Sequence, residues 1–185
     1  MTTSPTPAAP QRGPERRTAN LGAPAGGERR ALADRRGENN RQYVHFRVGT
    51  LDFLLRIDQV QEVVLAAPPT PVPLAPPLVA GLINLRGQIL PAIDLAVALD
   101  EPTTRQDAGL NVVVRAEGGA FAVRADEVFD VLEASPTMLV PPPLNLRGPV
   151  RTLSESVCKV AGRLLLVMDL AGLGQLVEAA PPAPR

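Results

Sequence analysis

Apolar and polar residues alternate where order is expected to begin. In Tyr43-Val44-His45-Phe46-Arg47-Val48, the apolar Val44, Phe46 and Val48 alternate with Tyr43, His45 and Arg47, the period of a half-buried strand. Gly49-Thr50 supplies a turn, and Leu51 to Ile57 make a second strand. Asp58 is placed to cap a short helical turn through Val60, Val63 and Val64. Beyond a proline-rich stretch the strand pattern resumes at Leu82 to Leu85, turns at Gly87 and continues from Gln88 to Ile93. Asp94 then caps a short helix, Leu95 to Leu99.

The pattern then returns. Setting Val44–Val64 against Val112–Leu132, an offset of 68, gives seven identities in 21 positions: Val44/Val112, Arg47/Arg115, Phe53/Phe121, Arg56/Arg124, Asp58/Asp126, Val60/Val128 and Val63/Val131. A second match at offset 75 sets Gly87-Gln88-Ile89-Leu90 and Asp94-Leu95 against Gly162-Arg163-Leu164-Leu165 and Asp169-Leu170. Two copies of one strand–strand–helical-turn, strand–helix unit explain both. Each copy spans about 65–70 residues, a size at which a lone domain is marginal, so two copies sharing an apolar interface are the sturdier arrangement. Short strands punctuated by Gly and Pro, with no long amphipathic helix, predict a mostly β fold of two small barrels in tandem. The expected division is a tail at 1–41, one subdomain over about 42–105, a second over about 106–178 with end strands that could exchange, and a flexible end at 179–185.

Charge separates the tail from the body. Residues 1–41 hold eight arginines against four acids, a net +4, and the remaining 144 residues hold 11 basic and 15 acidic groups, a net −4. With only Leu21 and Leu32 as large apolar groups, the tail cannot bury enough surface to offset its ordering entropy and is expected to be disordered. Its arginines could attract nucleic acid or an acidic membrane surface. Acids interrupt them and no aromatic interleaves them, so a solvated tail is the simpler reading. The uncharged run from Val63 to Leu85 contains six prolines and cannot form a continuous membrane-spanning helix. No signal-peptide apolar core precedes the arginines, so a cytoplasmic protein without direct membrane insertion is expected.

Candidate chemistry is sparse. One Cys (Cys158) and one His (His45) preclude an intramolecular disulfide and leave a Cys/His zinc site short of ligands. His45 falls mid-strand on the polar side, and Cys158 lies in a strand-like run that suits a buried, inert thiol. Asp94 and Asp169 read as helix caps, and Gly26-Gly27 and Gly118-Gly119 lack the Lys and helix of a phosphate loop. No catalytic residue, cofactor or metal ligand is therefore assigned. Gly81-Leu82-Ile83-Asn84-Leu85-Arg86-Gly87 is more suggestive, since it sets one Arg among apolar residues between two glycines. Arg suits multidentate recognition when partly desolvated. Glu62, flanked by valines, is a candidate partner, and contact surface and local strut are both open readings of the pair.

At these residues the chain resembles the CheW family of chemotaxis coupling proteins. The resemblance is carried by Val60-Gln61-Glu62-Val63-Val64, Val72-Pro73, and Val79-Ala80-Gly81-Leu82-Ile83-Asn84-Leu85-Arg86-Gly87 followed by Pro91 and Asp94-Leu95, and it extends from about Tyr43 to Leu176. It implies two five-stranded SH3-like β-barrels around a shared apolar core. It also implies a non-enzymatic adaptor between the cytoplasmic helical hairpin of chemoreceptors, held in a groove between barrels, and the regulatory domain of a CheA-type histidine kinase, within membrane-associated receptor arrays. Val60, Glu62, Gly81, Asn84 and Arg86 are the partner-binding residues that the resemblance implies, Gly81 because a side chain there would block close approach. Two alternatives remain: a nucleic-acid-binding small barrel that uses the basic tail, and a CheW-like adaptor that has lost kinase docking. Nucleic acid is not an expected partner under the leading reading.

Overall fold

The computed structural model describes residues 40–103, 109–116 and 118–182, so the expectations for the tail over residues 1–39 lie outside the described residues. Among the described residues eleven strands and three α-helices follow in the order β1 (Arg41–Val48), β2 (Leu51–Arg56), β3 (Val60–Leu65), β4 (Val79–Leu85), β5 (Gln88–Ile93), α1 (Leu95–Leu99), β6 (Leu110–Ala116), β7 (Gly119–Ala125), β8 (Glu127–Ala134), β9 (Leu139–Val140), α2 (Gly148–Thr152), β10 (Ser154–Val160), β11 (Arg163–Met168) and α3 (Leu170–Ala179). Arg41, assigned above to the tail, already belongs to β1. Among the described residues no helix is long and apolar enough to cross a membrane, and the uncharged Val63–Leu85 run is β3, a proline-rich strap and β4.

Two sheets form, in the orders β8-β1-β2-β11-β10-β9 and β3-β6-β7-β5-β4, called here sheets A and B. Each draws strands from both halves of the sequence. The first half gives β1 and β2 to sheet A and β3, β4 and β5 to sheet B; the second gives β6 and β7 to sheet B and β8 to β11 to sheet A. The duplication extends to register. Val44 pairs with Val131 and Phe46 with Val128 in sheet A, while Val112 pairs with Val63 and Val114 with Val60 in sheet B, the same pairs shifted by 68. The mostly β fold of two paired units is the expected one. The barrels, however, are curled sheets rather than closed cylinders: among the described residues no ladder joins the outer strands β3 and β4 of sheet B.

The core has three parts because strand faces alternate. Phe46, Val48, Phe53 and Leu55 from sheet A meet Val112, Val114 and Val123 from sheet B in one shared cluster, which Leu95, Leu170 and Leu173 of the helices cover. The opposite faces fill each unit separately. Tyr43, Leu54, Cys158, Leu165 and Val167 lie within sheet A; Ile83, Leu90, Ala92, Val113 and Ala122 lie within sheet B. Both expected caps form, with Asp94 accepting from the Ala96 amide at 3.2 Å and Asp169 from the Ala171 amide at 2.9 Å.

One expected element is different. Asp58 caps nothing: it sits in a 3-10 turn over Ile57–Gln59 and pairs with Arg56, and Val60 to Val64 run as strand β3. The misleading spacing comes from Val63, apolar yet 39% exposed on the outward phase of β3, which makes valines recur at i, i+3 and i+4 as they would on a helix. A bulge between Val60 and Glu62 lets Val60 face the shared cluster and Val64 the interior of sheet B.

Candidate functional site

The β4–β5 hairpin closes with a two-residue turn in which Arg86 (φ 51°) and Gly87 (φ 88°) both have positive φ, as a tight right-twisted hairpin requires. Arg is unfavourable there, and the Asn84 side chain compensates by accepting the Gly87 amide at 2.8 Å. From this turn the Arg86 guanidinium reaches Glu62 Oε2 at 2.9 Å. Glu62 is on β3, at the other end of sheet B, so the ion pair spans the seam that no ladder closes. Arg86 is 80% exposed and Glu62 20%, which makes the pair a surface feature worth about 0–1 kcal/mol to the fold.

The five expected site residues thus divide. Glu62, Asn84 and Arg86 come together at the mouth of sheet B. Val60 is half-buried and packs on the shared cluster. Gly81 is buried with φ 144°, and the close approach it permits comes from within the chain: a Cβ there would overlap the carbonyl of Thr70 in the proline-rich strap. Thr70 and Leu82 exchange two backbone hydrogen bonds of 2.8 Å, so the strap seals the outer edge of β4.

Sequence reasoning missed the apolar strip beside the ion pair. Leu82 is opposite Pro91 and Asn84 opposite Ile89, on the hairpin face turned away from Ile83, Leu90 and Ala92. Leu82 is 36% exposed and Ile89 69%. The signal was present in the outward phase of β5, where Ile89 is apolar at a position that alternation assigns to solvent. Pro91 leads from this strip into a groove of about 290 Å³ between sheet B and α3, lined by Val79, Ile93, Phe121, Leu173 and Val177, with Gly174 on the α3 wall and Glu178 at its rim.

Two other polar clusters are tied into the fold. Asp94 pairs with Arg124 at 3.2 Å, both largely buried. At the end of sheet A, Asp52 is buried and bonded by His45 Nε2 at 3.1 Å, by Arg47 Nε at 3.1 Å and by Arg163. Phe129 stacks on His45 and lies beneath the Arg47 guanidinium. Burial alone would raise the Asp52 carboxyl, yet the hydrogen bonds of His45 and Arg47 and the charges of Arg47 and Arg163 together hold it below the ordinary value. Cys158 is buried and burial pushes its thiol up. Iodoacetamide is therefore expected to label Cys158 only in denaturant, and labelling of the folded protein at the rate of a free thiol would contradict that placement. Among the described residues no group of three or more His, Cys, Asp or Glu is placed to hold a metal ion.

Comparison with known proteins matches a family model described as a CheW-like domain to residues 42–178. The chain is 32% identical over 134 residues to the chemotaxis protein CheW of Rhizobium meliloti (strain 1021), covering 70% of this chain and 84% of that one. It is 32% identical over 117 residues to protein FrzA of Myxococcus xanthus, covering 63% and 72% respectively. In structure it is similar to the scaffolding protein TtCheW from Thermoanaerobacter tengcongensis, with a TM-score of 0.64 at 25% identity over 70% of this chain and 88% of that one.

Proposed function

The chain belongs to the CheW-like domain family, and from that premise we propose that it is a non-enzymatic adaptor that couples a chemoreceptor's cytoplasmic helical hairpin to the regulatory domain of a CheA-type histidine kinase. The observation that carries the reading is the surface around the β4–β5 hairpin. There the family motif supplies an apolar strip, Leu82 and Ile89, that ends in the solvent-facing Arg86–Glu62 pair and opens at its other end into the groove beside α3. An amphipathic helix recognises such a surface by laying apolar side chains into the groove and matching the charged rim. Arg86 contributes little to folding where it stands, so its planar donors are available to a partner carboxylate or carbonyl. The adaptor would work in the cytoplasm and be recruited to membrane-associated receptor arrays through these two contacts.

The test is titration of the purified chain with a receptor hairpin fragment and, separately, with the kinase regulatory domain. Arg86→Ala is expected to weaken hairpin binding by about tenfold, a loss of about 1.4 kcal/mol. Its circular dichroism and thermal midpoint should match the parent. Unfolding of Arg86→Ala would make that residue a strut, and failure of the parent chain to bind either partner would remove the coupling role.

A further inference from the structure

Helix α3 contains two glycines, Gly172 and Gly174, in ten residues, although glycine is the poorest helix former apart from proline. The fold accounts for the first. A Cβ on Gly172 would overlap the carbonyl of Thr152, so the glycine lets α3 pack closely against the end of α2. It does not account for the second. A Cβ on Gly174 would meet no heavy atom within 4 Å, and Gly174 is not among the residues with positive φ, so neither the backbone nor the space around its Cβ requires glycine there. A residue that weakens its helix and relieves no internal contact stands on the wall of the apolar groove.

We infer that Gly174 is a selectivity position, kept bare so that a partner helix can seat a large apolar side chain between α3 and sheet B. The inference rests on the coupling role proposed above and names the feature of the receptor hairpin that this groove reads. A volume of about 290 Å³ admits one or two large side chains. The α3 wall from Leu173 to Val177 is about one helical turn long, which matches the spacing of side chains at i and i+4 on an incoming helix. Among the described residues that line the groove Glu178 is the one that is charged, so the docked helix should carry a cationic side chain next to its apolar anchor. Continuity with the Leu82–Ile89 strip through Pro91 places this anchor on the same partner that meets Arg86.

The experiment compares the parent chain with Gly174→Ala and Gly174→Leu by calorimetric titration against the receptor hairpin fragment and against the kinase regulatory domain. Both variants should have thermal midpoints at or above the parent's, because each replaces a helix-interior glycine without a clash. Hairpin affinity should fall about two- to threefold for Ala and at least about tenfold for Leu, while kinase affinity is unchanged. Undiminished hairpin binding by Gly174→Leu overturns the selectivity assignment and leaves coupling intact. Equal losses toward hairpin and kinase also overturn it, since a general distortion would then be the cause. A parent chain that binds no hairpin overturns the coupling role and this inference together.

Discussion

Asp52→Ala lowers the free energy of unfolding by about 3 kcal/mol, measured by chemical denaturation against the parent. The carboxylate is 7% exposed and is an acceptor shared by His45, Arg47 and Arg163, which come from β1 and β11. Its removal takes away the buried acceptor at the end of sheet A, so the Arg163 guanidinium and the His45 ring lose this partner and Arg47 keeps its pair with the exposed Glu127 at 3.2 Å. Arg47 and Arg163 are 29% and 56% exposed, so water recovers part of the loss, and the expected value is at the lower end of what a broken buried pair costs. The pH dependence has a fixed sign. Asp52 titrates below its ordinary value in the folded state, so its stabilising contribution is complete above about pH 4, where an unfolded Asp is ionised, and is lost as pH falls through the depressed native value. The stability difference between parent and Asp52→Asn should therefore be flat from neutrality to about pH 5 and shrink in stronger acid. A difference that grew on acidification would mean that Asp52 is not ionised in this network.

The sequence carried much of the architecture because duplication is a local pattern written twice. Residues that match at offset 68 occupy the same ladder positions, with Val44 opposite Val131 and Val63 opposite Val112. The Asp94 and Asp169 caps were legible for a similar reason, since a cap contacts only its own next two residues. What stayed hidden depends on distant pairing. Strand β3 reads as a helical turn in the sequence because the exposed Val63 puts valines at i, i+3 and i+4, and only the pairing with β6 shows the strand. The distribution of each repeat over both sheets follows from the parallel pairings of β2 with β11 and β5 with β7, which no short window of sequence contains. Nothing in Leu51-Asp52-Phe53 marks Asp52 as the centre of a network, because its partner Arg163 is 111 positions away. Within the candidate site, the motif identified the Arg86–Glu62 pair, whereas the exposure of Ile89 and the groove beside α3 needed the assembled sheet.

Gly81→Ala is expected to destabilise the fold by about 3 kcal/mol, and the way this loss appears separates two roles that the family motif merges. At φ 144° only glycine is comfortable, and the strain of another residue costs on the order of 1–3 kcal/mol. The added methyl would also overlap the Thr70 carbonyl, so the strap must retreat and give up the paired hydrogen bonds between Thr70 and Leu82, each worth about 1 kcal/mol. Denaturation gives the total, and amide exchange at Thr70 and Leu82 shows whether the strap has lifted. Because Leu82 is also on the apolar strip, a lifted strap should weaken hairpin binding as well, even though Gly81 is itself buried. Faster exchange together with weaker binding means that Gly81 acts by holding the strap against β4. Weaker binding with stability and exchange unchanged would instead mean that a partner reaches Gly81 directly.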